Sequence, residues 1–284
     1  MSVNHYENFP VASVLCPPEL RPAVAAIYHF ARTADDLADE GDAPPEQRLA
    51  DLAAYLGDLR ATCAGTAVSA RWPQVFAPLG EVMRGRALPL PLLEDLLSAF
   101  AQDVTKQTYA DRTELLDYCR RSANPVGRLL LHLYGVSGAA ALRQSDAICT
   151  ALQLANFWQD LGVDTARGRI YIPATDCARH GVAAPELLAR RDSAPVRALV
   201  RDMTIWAREL MHSGAPLVHA IPGRAGWELR LVVQGGLRIL EKIEALDFDT
   251  LRTRPTLTAL DVPRLVWRAL WMRPTHGVVA GEPA

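Results

Sequence analysis

The feature that most constrains the fold of this chain is the spacing of its apolar residues, which recur at three- and four-residue steps. Between Leu20 and Ala38, for example, such residues form one stripe, as they do on one face of an α-helix. No stretch shows the sustained period-two alternation of β-branched residues that is typical of strands. We therefore predict an all-α fold, with about 8–11 helices around a central cavity.

Proline and glycine positions set the bounds of the predicted helices. We expect a single domain over 1–284, with an irregular segment at 1–18 and a frayed tail at 274–284. Residues 162–176 are predicted to form a loop, and Pro125 is expected to kink a continuous helix. The predicted helices cover about 20–40, 46–63, 73–83, 92–110, 115–134, 139–161, 185–191, 194–220, 229–246 and 262–273.

Composition excludes several classes of protein. The formal net charge of −2 over 284 residues gives no support for nucleic-acid binding. The five cysteines form no CxxC pair, so we expect reduced thiols in a cytoplasmic protein. No signal peptide is visible, and no apolar run approaches the ~20 residues that span a bilayer. We expect at most peripheral contact with the inner face of the membrane, to which the amphipathic stretch 262–273 is suited, although packing on the core is the favoured alternative.

A first acidic helix carries the strongest functional signal. On a helical wheel, Tyr28, Arg32, Asp35 and Asp39 share a strip beside the apolar stripe. The remaining acids of this helix, Asp36 and Glu40, are expected to face solvent or to lie just behind the metal ligands. Carboxylates four residues apart at the edge of a core need a cation, and Mg²⁺ prefers oxygen ligands of this kind. The alternative is a solvated helix end with an Arg32–Asp35 ion pair, and this helix alone does not separate the two.

A second helix repeats the pattern. Gln153, Asn156, Asp160 and Asp164 cluster on one side, opposite an apolar face. Facing the first acidic helix across a cavity, this helix would bind Mg²⁺ and, through the metal, a diphosphate. The loop that follows, at 167–173, places glycine between two arginines, which suits close approach to phosphate oxygens.

Three ordered motifs resemble those of one family. They lie at 28–40, at 118–127 and at 153–173, and the chain is similar through them to the squalene/phytoene synthase family of all-α isoprenoid synthases. Residues 8–13 and 157–160 resemble its bacterial hydroxysqualene synthase branch. Many relatives have arginine where this chain has Gln159, and many have tyrosine near Gly235 and Gly236.

The resemblance implies a reaction and its residues. The substrate would be presqualene diphosphate, and Mg²⁺ (or Mn²⁺) would assist its ionisation. Water would then capture the resulting cation and give hydroxysqualene. No NADPH would be needed. Metal ligands would be Asp35, Asp39, Asn156, Asp160 and Asp164. The diphosphate would contact Ser13, Arg32, Gln153, Asn156, Arg167, Arg169 and Tyr171. Catalytic residues would be Tyr28 and Tyr118, which would steer the cation, together with Asp35, Asp39 and Asp160.

Two alternatives stay open from sequence. The chain could be a presqualene diphosphate, squalene or phytoene synthase that condenses two prenyl diphosphates. It could also be a non-catalytic binding or assembly factor with the same fold, although its intact aspartate pairs argue against this. Association with other enzymes of the squalene pathway is a further expectation of the resemblance.

Overall fold

The computed structural model describes residues 16–272, and in this part of the chain the regular structure is helical. It comprises fourteen α-helices and one 3₁₀ helix at Ala259–Asp261, and Thr108 and Ile170 form an isolated parallel bridge. The prediction of an all-α fold is confirmed. The α-helices are α1 Arg21–Asp39, α2 Pro45–Ala64, α3 Pro73–Arg86, α4 Leu90–Asp103, α5 Arg112–Ser122, α6 Asn124–Leu133, α7 Ala139–Gln159, α8 Leu161–Ala166, α9 Ala174–Arg179, α10 Ala184–Leu188, α11 Ala194–Gly214, α12 Leu217–Ala220, α13 Gly223–Ala245 and α14 Val262–Leu270.

The predicted number of helices was too low for a physical reason. The stretch 115–134 is two helices rather than one kinked helix, because Pro125 stands in the first turn of α6 and cannot donate a backbone hydrogen bond. The stretch 194–220 is likewise divided, since Pro216 lies between α11 and α12. Within the predicted loop 162–176, the chain instead forms α8 and begins α9. Helices of four to six residues lack the periodic signal that longer ones give.

Two predicted boundaries also moved. The fourth helix ends at Asp103 rather than near residue 110, and α13 begins at Gly223 rather than near residue 229. The residues beyond Asp103 instead hold the 167–175 segment through backbone hydrogen bonds: the N–H of Ile170 donates to the carbonyl of Gln107 at 2.8 Å. This pairing fixes the position of the arginine-containing loop.

The buried residues form three clusters. One lies among α1 to α4, where the Phe30 ring stacks on Tyr55, whose hydroxyl donates to the Phe30 carbonyl at 3.1 Å. A second contains residues of α5, α7, α11 and α13, and includes the buried Trp158. A third contains residues of α6, α7, α12 and α13. The helix α7 contributes to the second and third clusters, and the second acidic motif lies at its C-terminal end.

Across residues 16–272, no helix combines the length and apolar character needed to cross a membrane.

Candidate active site

The C-terminal end of α1 carries an unfavourable concentration of negative charge. Asp35, Asp36 and Asp39 lie in its last turns with Glu40 just beyond, and no basic residue occupies its last turn. The carbonyl end of a helix disfavours anions, so this end of α1 depends on cations from elsewhere. Burial, opposed by Arg32 and reinforced by the neighbouring acids, raises the pKa of Asp35 to about 6.

Arg32 supplies part of the compensation within α1 itself. Its guanidinium lies 2.9 Å from the Asp35 carboxylate, 2.6 Å from Asp36 and 2.5 Å from Glu40. Asp36 and Glu40 lie towards solvent as expected, with side chains 42% and 60% exposed, although the long side chain of Arg32 also reaches both. The ion pair between Arg32 and Asp35 that the sequence allowed is present.

The second source of positive charge is the loop after α8. Arg167 donates to one oxygen of Asp39 at 3.1 Å, and Arg169 donates to the other at 2.5 Å. The loop is held in place from the other side, where the N–H of Ala174 donates to the carbonyl of Tyr109 at 2.9 Å. Tertiary folding thus joins the first acidic motif to the arginines that follow the second.

Asp160 and Asp164 do not share one continuous helix. Asp160 lies at the junction where α7 ends and α8 begins, and Asp164 lies in α8. Burial, together with the negative charge of Asp160, raises the pKa of Asp164 to about 7, and Arg169 and Arg167 oppose this shift. Asp39 also raises this pKa, which indicates that the carboxylates of the two motifs are near each other.

A cation that the sequence analysis missed binds Asp160. The guanidinium of Arg254 forms an ion pair with both oxygens of this carboxylate. The side chain of Gln159 is 1% exposed and donates to the carbonyl of Pro255 at 2.7 Å, which holds this loop against α7. Gln159 therefore belongs to the packed interior, and the loop beyond α13 places a guanidinium beside Asp160. No local pattern around residue 254 indicates this role.

A second missed residue is Asp103, at the end of α4. The hydroxyl of Tyr118 donates to its carboxylate at 2.8 Å. Burial raises the pKa of Asp103 to about 7, with Tyr118 and Arg169 lowering it and Asp35 and Asp39 raising it. A signal was present in the sequence, since position 103 follows the buried Leu96 by seven residues and therefore falls on the apolar stripe of α4.

The remaining candidates of the second motif lie on α7. Asn156 and Gln153 precede Asp160 by one and two turns; Asn156 is exposed and Gln153 half-buried. Tyr171 stacks face to face on Phe157, with ring centroids 3.8 Å apart. Burial, and then the charges of Asp103 and Asp164, raise the pKa of Tyr171, so its ring lies between the aromatic core and the acids. Ser13 lies outside the described residues.

An elongated apolar cavity of about 490 Å³ begins beside the first motif. Tyr28, Arg32 and Asp35 line it at one end, and it follows α1 back to Val24, a distance of about 16 Å along the helix. Its other walls come from α6, α7, α12 and α13, and most of the lining is hydrocarbon. At Gly236, a Cβ would lie 2.8 Å from the Leu152 side chain, so Leu152 and its neighbours fill the space next to this wall.

The two motifs are close but do not form a closed metal cluster. Over residues 16–272, no three His, Cys, Asp or Glu side chains are arranged to hold a metal ion, because arginines bind Asp35, Asp39 and Asp160 instead. The donor set nevertheless fits a hard divalent cation, since it consists of carboxylates from two facing motifs. Burial is the main cause of the raised pKa values of Asp35 and Asp164, and the neighbouring acids raise both values further.

These pKa values predict how stability changes with pH in metal-free protein. The pKa values of Asp35, Asp103 and Asp164 are raised from 3.8 to about 6, 7 and 7, so between about pH 4 and pH 7 the folded state binds more protons than the unfolded state. The free energy of unfolding should therefore fall as pH rises through this window. We expect a Tm several degrees lower at pH 7.5 than at pH 5.0 in EDTA.

Thermal denaturation in the presence of Mg²⁺ provides the matching measurement. A cation bound to the carboxylates should raise Tm at pH 7.5 and have little effect at pH 5.0. The Asp164→Asn variant should lose part of the pH dependence, because it cannot titrate. A Tm that rises between pH 5.0 and pH 7.5 in the wild-type protein would contradict this account of the site.

Comparison with known proteins gives consistent matches over most of the chain. The family model for squalene/phytoene synthase matches residues 3–261. A hydroxysqualene synthase of Sinorhizobium fredii is 34% identical over 263 residues, which are 92% of this chain and 87% of the relative. One from Zymomonas mobilis is 36% identical over 230 residues, covering 80% of this chain and 75% of the relative. The crystal structure of squalene synthase HpnC from Alicyclobacillus acidocaldarius has a TM-score of 0.79 at 38% identity, covering 86% of this chain and 90% of that one.

Proposed function

Since this chain belongs to the squalene/phytoene synthase family, we propose that it converts presqualene diphosphate and water to hydroxysqualene and diphosphate. Among the reactions of the family, this one is supported by the relatives from Sinorhizobium fredii and Zymomonas mobilis, which are named hydroxysqualene synthases. The observation that carries the proposal is the cavity, because its long apolar interior begins at a charged end formed by Arg32 and Asp35. A substrate with a diphosphate head and a hydrocarbon body has the same division of polarity.

The charged end suits departure of the diphosphate. We assign the metal ions to Asp35, Asp39, Asn156, Asp160 and Asp164, and bound Mg²⁺ would draw negative charge onto the leaving oxygen. Arg167 and Arg169 are placed to move from Asp39 to the phosphate oxygens, since guanidinium groups bind carboxylate and phosphate in the same bidentate manner. Arg32 would make the same exchange from its own helix.

Arg254 would have a different task. Its guanidinium is paired with Asp160, and the buried Gln159 fixes the loop that carries it. We propose that it orients the Asp160 carboxylate before substrate arrives.

The apolar interior suits the carbocation that forms when the C–O bond breaks. Tyr28 lines the cavity next to the charged end, and an aromatic face stabilises positive charge. This cyclopropylcarbinyl cation would rearrange to an allylic cation as a cyclopropane bond breaks. The oxygen of one water molecule then bonds to the cationic carbon, and that water gives up a proton. The departing diphosphate would accept this proton.

The decisive experiment separates this reaction from others of the family. Purified protein with Mg²⁺ should consume presqualene diphosphate and release hydroxysqualene and diphosphate in equal amounts, with no NADPH. With farnesyl diphosphate alone it should release little or no product. EDTA should abolish turnover, and added Mg²⁺ should restore it.

Three other results would each contradict the proposal. Rapid consumption of farnesyl diphosphate would indicate a synthase that condenses two prenyl diphosphates. Squalene formed only when NADPH is present would indicate capture by hydride instead of water. No turnover with either substrate, in protein that is folded by circular dichroism, would favour a non-catalytic member of the family.

A further inference from the structure

The helix α14 presents an apolar face that the rest of the described chain does not cover. Its buried side consists of Leu265 and Ala269, which pack towards α13. Around the rest of the helix, the apolar side chains are exposed to solvent. Their exposed fractions are Leu260 90%, Trp267 62%, Trp271 61%, Val262 53%, Leu270 53% and Val266 43%, with Leu260 just before the helix. We call these six residues the α14 face.

The charges around the α14 face are of one predominant sign. Helix α14 contains two arginines and no acid, and both arginines bind Glu241 of α13. Arg238 also binds Glu241, and together with Lys242 it neutralises Asp261. The cluster therefore joins four cations to two carboxylates and has a net positive charge, which complements an anionic surface.

The α14 face is joined to the far end of the cavity. The helix is followed by Met272, which packs against the cluster that contains Leu217, Ile221 and Ala225, and these three residues line the cavity. Arg230 of α13 donates to the carbonyl of Ala269 at 3.2 Å and lies over the ring of Trp227. Trp227 is 41% exposed and precedes Glu228 and Leu229, which line the cavity as well.

We infer that the α14 face, extended by Trp227, docks on an anionic lipid bilayer. Tryptophans at the edge of an apolar helix face, flanked by arginines, are typical of helices that lie in the membrane interface. The net positive cluster beside this face complements anionic headgroups, and a lipid bilayer does not need the matching surface that a protein partner needs.

Docking would bring the far end of the cavity to the membrane, where the hydrocarbon body of a substrate or product partitions. The exposure and charge that define the docking surface do not depend on the reaction. Delivery of substrate or release of product at the membrane, by contrast, rests on the proposed function. Binding to vesicles without substrate tests the surface, and turnover of presqualene diphosphate in detergent tests the function. Either one can fail while the other succeeds.

Co-sedimentation with vesicles measures the docking directly. The full chain should bind vesicles of phosphatidylcholine with phosphatidylglycerol more tightly than phosphatidylcholine alone, and added salt should weaken the difference. The double variant Trp267→Ser/Trp271→Ser should bind at least tenfold more weakly. The matched control is Val68→Ser, which changes an exposed apolar residue between α2 and α3 and should bind like the wild type. Circular dichroism should be the same for all three.

Four outcomes would overturn the inference. In the first, the wild type does not sediment with anionic vesicles, and in the second, the double variant and the control bind equally. A chain that forms dimers by ultracentrifugation, and becomes monomeric only in the double variant, would show that a second copy covers the α14 face. In the fourth, a shortened chain that ends at residue 272 is the only form that binds vesicles. That result would show that the protein's own C-terminal segment covers the α14 face in the full chain.

Discussion

Replacing Asp39 with asparagine is expected to lower kcat on the order of 10³-fold while leaving the fold intact. Asp39 is the carboxylate through which the two motifs meet, since it accepts hydrogen bonds from both Arg167 and Arg169. The neutral amide would be a poor ligand for Mg²⁺ and would hold these arginines weakly. Product formation from presqualene diphosphate, measured across a range of Mg²⁺ concentrations, provides the test.

The stability of this variant should change little, because exposed ion pairs contribute about 0–1 kcal/mol each. The matched control is Asp42→Asn, which makes the same chemical change three residues further along, at an exposed position beyond α1. It should retain wild-type turnover and wild-type dependence on Mg²⁺. Equal activity in the Asp39→Asn variant and the wild type would remove Asp39 from the site.

Replacing Gly162 with alanine is expected to lower both stability and activity. A Cβ on this residue would lie 2.3 Å from the carbonyl oxygen of Leu251, and its N–H donates to the carbonyl of Thr250 at 3.2 Å. Backbone cannot move aside as a flexible side chain does, so α8 would have to shift away from the 250–251 segment. Overpacking of this kind costs about 1–3 kcal/mol.

The same shift should reduce turnover, because Asp160 and Asp164 lie on either side of Gly162. A displacement of about 1 Å at reacting groups costs about 100-fold in rate. Thermal denaturation and the presqualene diphosphate assay measure the two effects together. A variant with wild-type Tm and turnover would show that the approach of α8 to the 250–251 segment is unimportant.

Gly57→Ala makes the same substitution where nothing opposes it. Gly57 lies inside α2, and a Cβ there would meet no atom within 4 Å. Alanine favours helix over glycine, so this variant should be as stable as the wild type or more stable by about 0.5–1 kcal/mol. The contrast between the two glycines separates the effect of crowding from that of losing a glycine.

The first acidic motif was largely readable from the sequence, because its features depend on one helix. The wheel placed Arg32 within reach of Asp35, and the structure has that ion pair. The same wheel directed Asp36 and Glu40 towards solvent, where both side chains are partly exposed, but it fixes only the direction of each Cβ and so did not predict that Arg32 reaches them. Whether Asp35 and Asp39 bind Mg²⁺ stays a prediction.

Two other site residues depended on contacts between distant parts of the chain. Arg254 and Asp160 form an ion pair although they are 94 positions apart in the sequence, and no local sequence pattern near either residue predicts this contact. Asp103 could have been found from the sequence, because it is an acid on the apolar stripe of α4. Its neighbours Tyr118 and Arg169, however, come from other elements. Its raised pKa follows from burial, which no local pattern measures.

The sequence by itself determined the all-α class and the two acidic motifs, and its resemblance to the squalene/phytoene synthase family is confirmed. These properties follow from the periodicity of a helix, in which residues three and four apart share a face. The tertiary structure alone decided which cations bind the acids, where the cavity ends and that the α14 face stays exposed. Those properties depend on packing between elements far apart in the chain. The periodicity of a single helix predicts which of its faces is buried but not which other elements pack against that face.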